Sequence, residues 1–459
     1  MTINKELIKK YNQPIPRYTS YPPANHFQND LDRDSYLAVL KESNHSTNEN
    51  LAFYFHIPFC EQICYYCGCN AQKLHKNSRI EDYVTALLKE IDLVTEHLDK
   101  QRKISQIHFG GGTPNAIDLN YLKIIITKLS SLFKFIDKPE IAIECHPALL
   151  DFEAVDALID AGFNRLSLGI QDFDEAVLKA VNRKPSKLAV EELVTYIRNK
   201  DKHIAINLDF IYGLPLQSPD RFAKSIERAI SIKPDRLVTF SYAHVPWLKK
   251  HQSILEKKGL PDPDSKMAMF EKASQLLQAA NYQAIGFDHF AQANDELSIA
   301  LSNKQLHRNF QGYCTRRTTG EVYAFGVTGI SQLDKAYAQN TKSIEKYISS
   351  IEKGELAIEK GLLLKPQQMI VREVINQIMC NHYIHWETLA TRLKISAQEL
   401  KEIIGYDEKK LAPLAEDRLI SFDEKELQAT DIGRVLIRNI AAVFDPLYAQ
   451  SQNRYSQTV

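Results

Sequence analysis

Four cysteines fall within one short run, Cys60-Glu-Gln-Ile-Cys64-Tyr-Tyr-Cys67-Gly-Cys69. Thiolates are soft ligands that suit zinc or iron–sulfur clusters. A structural zinc site usually draws two pairs of ligands from separated segments. This chain has no second Cys-x-x-Cys pair, and Cys67-Gly-Cys69 is tighter than the usual zinc pair. Three thiolates on one loop can hold three irons of a 4Fe–4S cluster and leave the fourth open to a substrate or cofactor. A cluster held by cysteine at every iron is closed and mainly transfers electrons. Zinc, or thiols with no metal, is the alternative reading. The remaining cysteines, Cys145, Cys314 and Cys380, are scattered and read as small buried hydrophobes. Seven cysteines in a chain whose first residues lack an apolar export core argue against a disulfide framework.

Further residues with chemical potential recur at the ends of apolar runs: Gly110-Gly111-Gly112-Thr113, Glu144, Gln171, Asp209 and Ala243-His244. The runs are 51–59, 104–112, 140–147, 165–171, 204–215 and 236–244, with amphipathic stretches between them at 80–98, 119–135, 148–161 and 219–231. Strands that alternate with helices imply parallel βαβ units, whose strands are buried on both faces. Six units with special residues at every strand's C-terminal end suit a (β/α) barrel with one shared mouth better than an open doubly wound sheet. Runs at 282–290 and 322–331 extend the sheet. Beyond about residue 361 the pattern turns helical (367–380, 384–393, 397–404), ends on a polar turn at 421–425 and a helix at 431–444, and suggests a winged-helix-like domain. The expected division is an N-terminal segment (1–48) that closes the site, a barrel (49–345) and a helical C-terminal domain (346–459), with 341–361 as the connection.

The chain has 459 residues, 44% of them hydrophobic, and 57 basic against 57 acidic side chains. That is globular composition, long enough for two or three domains at roughly 150 residues each. Zero net charge removes the bulk argument for nucleic acid or an anionic membrane as partner. No run approaches the roughly 18 apolar residues of a membrane span, so the expectation is a cytoplasmic protein.

The Cys-x-x-x-Cys-x-x-Cys spacing, with aromatic Tyr66 before the third cysteine, resembles the radical S-adenosylmethionine (SAM) enzymes, and Gly110–Pro114 matches their glycine motif. More narrowly, the chain resembles the oxygen-independent coproporphyrinogen III oxidases. The residues that carry this are Arg17–Pro22, His56–Cys60, Cys67–Asn70, Gly162–Arg165, Gly169–Asp172, Asp209–Pro215, His307–Tyr313 and Arg438–Ile440, so it spans roughly residues 14 to 445. The resemblance implies a partial (β/α)6 barrel. It implies a 4Fe–4S cluster on Cys60, Cys64 and Cys67, with Cys69 set aside. It implies one SAM held by Tyr54, Gly111 and Glu144, and a second by Tyr66, Gly112, Thr113, Gln171, Arg183, Asp209, Ala243 and Ile330. The implied reaction is a 5′-deoxyadenosyl radical taking hydrogen from a propionate β-carbon, with loss of carbon dioxide and one electron; two rounds turn coproporphyrinogen III into protoporphyrinogen IX for haem synthesis. An electron donor and an electron acceptor are implied, and a monomer is expected.

A substrate with four carboxylates calls for cations. The candidates are Arg17, Lys249, Lys250, His307, Arg308, Arg316 and Arg317, with Tyr18 against the macrocycle; Arg17 and Arg308 stand inside family-like motifs. Departures from the family pattern are Cys145-His146 after Glu144, Ala71 where lysine is frequent, and Tyr66 in place of phenylalanine. A related haem chaperone is the competing reading. The Tyr18–Pro22 block and the Cys67-Gly-Cys69 ending favour the oxidase.

Overall fold

The computed structural model describes residues 5–29, 31–45, 50–75, 79–315 and 321–448. The expected βαβ rhythm is present. Strands β1 (Asn50–Ile57), β2 (Lys103–Gly111), β3 (Phe135–Cys145), β4 (Arg165–Gln171), β5 (Ala205–Tyr212) and β6 (Arg236–Ser241) pair side by side in chain order, all parallel. Their apolar runs are continuous because helices cover one face and the barrel interior the other. The helices span Ile80–Thr95, Leu119–Leu132, Phe152–Asp160, Val190–Lys200 and Pro219–Ile232. Three of them start where the side chains of Asp118, Asp151 and Ser218 accept backbone N–H groups, which satisfies donors that a helix cannot satisfy internally.

The run at 282–290 is two short antiparallel strands, β7 (Gln283–Ile285) and β8 (His289–Ala291), not one. They turn at Gly286, where a Cβ would lie 1.9 Å from the Tyr313 hydroxyl. The run at 322–331 is likewise divided. β9 (Val322–Phe325) joins the other edge of β1 in parallel, the chain turns at Gly326 (φ 87°), and β10 (Ile330–Gln332) returns antiparallel. β11 (Ala336–Asn340) and β12 (Ile358–Leu363) complete a sheet ordered β12-β11-β10-β9-β1-β2-β3-β4-β5-β6-β8-β7. Its two ends do not pair, so the parallel strands form an open arc, a partial barrel.

The segment 341–361 is no simple connection. It contains a helix, Ile344–Glu352, and most of β12, and the expected boundary at 345/346 falls inside that helix. Tyr347, Ile348 and Ile351 are buried in the barrel core, and Tyr347 donates a 2.6 Å hydrogen bond to buried Glu90. Beyond it, helices Pro366–Asn381, Trp386–Leu393, Ala397–Ile403 and Glu408–Glu416 surround a three-stranded antiparallel sheet made of Tyr383–His385, Ile420–Phe422 and Glu426–Ala429. The expected final helix is two, Asp431–Val435 and Ile437–Ala442, broken at Leu436 (φ −104°, ψ 26°). No helix among the described residues is long and apolar enough to cross a membrane.

The N-terminal segment belongs to the second core. Tyr11, Ile15, Tyr18 and Tyr21 pack with Val374, Ile378, Trp386 and Ile440. Asn439 Nδ2 donates to the Tyr11 carbonyl at 2.9 Å, and Tyr18 Oη donates to Asp445 at 2.9 Å.

At the opposite end of the strands an ion-pair chain crosses the barrel floor. Arg165 Nε meets Glu140 at 2.5 Å, and Arg236 meets Asp295 at 2.8 Å and Glu296 at 3.1 Å. Burial pushes the Glu140 pKa up, but Arg165, Arg236 and the Gln106 hydrogen bond outweigh it and hold it at about 2. Removing one partner from a largely buried pair strands the other, so Arg165→Met is expected to destabilise the fold by about 3–5 kcal/mol in denaturant melts. A carboxylate pKa depressed from 4.5 to about 2 contributes stability above the former that fades as pH falls toward the latter. The stability gap between wild type and Glu140→Gln therefore narrows over that window.

Candidate active site

The cysteine loop leaves β1 through Pro58-Phe59 and is tied down along its length. Residues Phe59–Cys60 pair in parallel with Gln72–Lys73. Asn182 Nδ2 donates to the Ile63 carbonyl at 2.9 Å, Gln252 Nε2 to Tyr66 at 2.9 Å, and Lys249 Nζ to Cys69 at 2.8 Å; His251 Nε2 meets the Cys67 carbonyl at 2.9 Å. Cys60 and Cys64 are buried, Cys67 is half-buried and Cys69 exposed. Thr113 Oγ1 donates to Cys60 Sγ at 3.3 Å and Arg183 Nη1 to Cys64 Sγ at 3.6 Å. Burial pushes the Cys60 thiol up to about 11. The Cys69 thiol hydrogen-bonds Cys67, and this draws the Cys67 pKa down against the effect of burial.

Beside the loop, the glycine motif brings two strand ends unusually close. Gly112 N donates to the Ile57 carbonyl and Thr113 N to the Phe59 carbonyl, both at 2.8 Å. A Cβ on Gly112 would lie 2.9 Å from the Ile57 and Phe59 oxygens; one on Gly111 (φ 109°) would meet the His56 ring at 2.6 Å, and one on Gly110 would meet Glu144 at 2.6 Å. Glu144 accepts from Gly111 N at 3.2 Å and sits 3.1 Å from His108 Nε2. Burial would raise its pKa, but His108 and the Gly111 N–H outweigh it and keep the carboxyl below its ordinary range. Tyr54, level with His108 in the β1–β2 register, packs on the His108 ring at 5.7 Å. His56 Nε2 lies 2.9 Å from the Asn70 carbonyl, which can only accept, so the proton is on Nε2 and Nδ1 accepts from the Tyr54 hydroxyl at 3.3 Å. Burial draws this ring's pKa below its ordinary value.

Across the mouth, Gln171 ends β4 in a left-handed conformation (φ 69°), and Arg183 Nη2 donates to the Gly169 carbonyl. Asp209 accepts from Asn207 at 2.8 Å, and burial together with the nearby Glu144 charge raises its pKa to about 6.

These residues fit the implied groups. Three thiols on one tethered loop, each already receiving a hydrogen bond at sulfur, suit a cluster whose iron charge would reverse the raised Cys60 pKa. Two facing carboxylates, Glu144 and Asp209, suit ligands that carry ammonium and sulfonium charge. Gln171 Oε1 and Arg183 Nε are buried polar atoms with no protein partner, as expected where a ligand completes the hydrogen bonding.

A model of the radical SAM superfamily matches residues 54–229, and the HemN C-terminal domain matches residues 364–436. An oxygen-independent coproporphyrinogen III oxidase of Synechocystis is 37% identical over 98% of this chain and 96% of its own length, and one of Escherichia coli has the same figures. The solved structure of the coproporphyrinogen III oxidase from Escherichia coli, described as a radical SAM enzyme, superposes with a TM-score of 0.89 at 35% identity over 97% of this chain and 99% of its own. The chain belongs to the oxygen-independent coproporphyrinogen III oxidases. A 4Fe–4S cluster and SAM are the cofactors of that family.

The residues with family-like SAM positions lie on several elements. Tyr54, Gly111 and Glu144 form one group; Tyr66, Gly112, Thr113, Gln171, Arg183 and Asp209 line the adjoining side. Ala243 lies just past the end of β6, and Ile330, at the start of β10, packs beside Phe27 and Tyr337. Of the proposed substrate contacts, Arg17 faces a separate cleft, with Arg308 behind it. Tyr18 does not line that cleft: it is 1% exposed and committed to Asp445 in the second core. Lys249 is spent on the cysteine loop, His307 is buried, and Arg316 and Arg317 lie outside the described residues. Sequence reading missed His108, Asn182, His251 and Gln252, because each acts only through the fold; His108 alone had a signal, an alternating position on β2 one turn of the pleat before the glycines.

Cys60→Ser, Cys64→Ser and Cys67→Ser are each expected to abolish cluster assembly on anaerobic reconstitution, measured as iron and sulfide per chain, whereas Cys69→Ser retains it. Loss of the cluster in Cys69→Ser would show that the ligand set is wrong.

Proposed function

We propose that this protein converts two propionate side chains of coproporphyrinogen III to vinyl groups, giving protoporphyrinogen IX, as a haem-biosynthetic enzyme. The observation that carries this reading is the tethered Cys60–Cys67 loop facing Glu144, Asp209 and the buried, unbonded Gln171 Oε1 and Arg183 Nε atoms, in a chain aligned end to end with oxidases of that name. When bound, the reduced cluster and SAM supply a 5′-deoxyadenosyl radical, which takes a hydrogen atom from the propionate β-carbon. The substrate then releases carbon dioxide and one electron, and a carbon–carbon double bond forms.

The chain's own residues position and shield. Glu144, fixed by His108 and Gly111 N, holds a carboxylate toward the SAM amino group. Arg183, its charge favoured by Tyr66 and the Cys64 sulfur against the cost of burial, is placed for a SAM carboxylate. Asp209 offsets the sulfonium. The Arg17–Pro22 segment, held in the second core, closes the mouth against water and oxygen. A separate reductant feeds the cluster and an acceptor takes the substrate's electron. One chain supplies every residue named here, which suits a monomer, and we place it in the cytoplasm.

The test is product analysis after anaerobic incubation of the reconstituted protein with SAM, a low-potential reductant and coproporphyrinogen III. Release of two carbon dioxide molecules per porphyrinogen, with the divinyl product, is expected. Haem binding without decarboxylation would overturn the reading in favour of a chaperone.

A further inference from the structure

One group of cations is not used by the site around the cysteines. A cleft partly open to solvent has Tyr212 and Ser241 at the ends of β5 and β6 on one side, Lys266 from helix Pro263–Ala279, Arg17 from the N-terminal segment and Arg438 from the C-terminal region. None of the residues placed around the cysteine loop lines it. The two sites share a wall, however. Asp288 lines the cleft and lies 2.6 Å from His289 Nδ1, and His289 acts electrostatically on Asp209.

The charges are uneven. Arg308 stands behind Arg17, donating to its carbonyl at 3.2 Å and stacking over Phe287 and Tyr313, each at 5.0 Å. Arg17, Lys266 and Arg438 thus line the cleft together with Asp288, a carboxylate on which Arg308 and Arg17 both act. They act on one another: burial and Arg17 press the Lys266 pKa down to about 8, and burial, Arg17 and Arg308 press Arg438 down to about 10. Gathering like charges this closely costs stability unless an anion offsets them. Lys266 is also steered. Its stem crosses Gly213 (φ 87°), where a Cβ would lie 2.8 Å from Cε, and its amine donates to the Tyr242 carbonyl at 3.2 Å. Gly213 of the Asp209–Pro215 motif therefore keeps open the path that brings the lysine to the cleft.

We propose that Arg17, Lys266 and Arg438 anchor the propionates that the reaction leaves intact, so that the reacting propionates point across the shared wall toward the radical. This rests on the proposed function. The chemistry separates the two kinds of propionate. A carboxylate bound to guanidinium or ammonium is stabilised as an anion, and losing it as neutral carbon dioxide forfeits that stabilisation, so a cation cluster retards decarboxylation of whatever it holds. It serves best where no bond breaks. Placing the anchors on three separate parts of the chain also makes the substrate site complete only when the N- and C-terminal segments are docked.

The test compares wild type, Lys266→Met and Lys266→Arg on two substrates: coproporphyrinogen III, and its diester with methyl groups on the two propionates retained in the product. Lys266→Met is expected to raise KM for the free acid about tenfold, with Lys266→Arg restoring most of the loss. The diester is expected to be a poor substrate for wild type, and the change to methionine to cost it less than about twofold. Iron content at the wild-type level certifies folding; should Lys266→Met fall short, Arg17→Met, on an exposed side chain, gives the same comparison. An unchanged KM, or equal losses on both substrates, would overturn the anchor. Failure of wild type to decarboxylate coproporphyrinogen III would instead overturn the functional reading itself.

Discussion

The site depends on how closely two strand ends approach. Where β1 runs into the cysteine loop, the Ile57 and Phe59 carbonyls accept from Gly112 and Thr113 at the end of β2. Those bonds need backbone where a side chain would otherwise be: any Cβ at Gly112 would press on the Ile57 and Phe59 oxygens, and one at Gly111 on His56. The same approach delivers Gly111 N to Glu144 and the Thr113 hydroxyl to Cys60. One steric requirement thereby couples the loop that presents thiols, the Glu144 carboxylate and the hydroxyl that bonds the Cys60 sulfur. His56, held between Tyr54 and Asn70, fills the space behind the glycines and fixes where the loop leaves and re-enters the strand layer.

Around that junction the charges are sorted by what they must meet. Glu144 and Asp209 lie on the side of the cysteine loop. Arg17, Lys266 and Arg438 line the cleft beyond the Asp288–His289 pair, with Arg308 behind Arg17. Segregation of this kind needs distant parts of the sequence. The cationic side draws on residues from both ends of the chain, and those ends share one hydrophobic core. The zero net charge of the whole chain conceals this local polarity.

Much of the barrel was legible because parallel, doubly buried strands must be continuously apolar and must alternate with helices; β1 to β6 fall where the runs predict. The cysteine spacing and the glycines were equally plain, since both are local in sequence. The runs at 282–290 and 322–331 look like single strands in sequence because hydrophobicity carries no sign of the positive φ at Gly286 and Gly326 that turns them. The segment 341–361 was read as a connection, although its buried face, Tyr347-Ile348-Ile351, packs into the barrel. Tyr18 looked like a macrocycle contact because an aromatic side chain in a motif does not reveal its partner, here Asp445, distant in sequence. Lys266 had no signal at all: it is one lysine on an amphipathic helix, and only the fold sets it against Gly213 and Arg17.

On the reading proposed, three thiols of one loop hold a cluster with one iron left open for SAM. Mössbauer spectroscopy of protein reconstituted with iron-57, before and after SAM is added, tests it most directly. The parameters of one iron in four are expected to change on addition while the other three stay as they were. Four irons unaltered by SAM, or a chain that takes up zinc and no cluster, would contradict it.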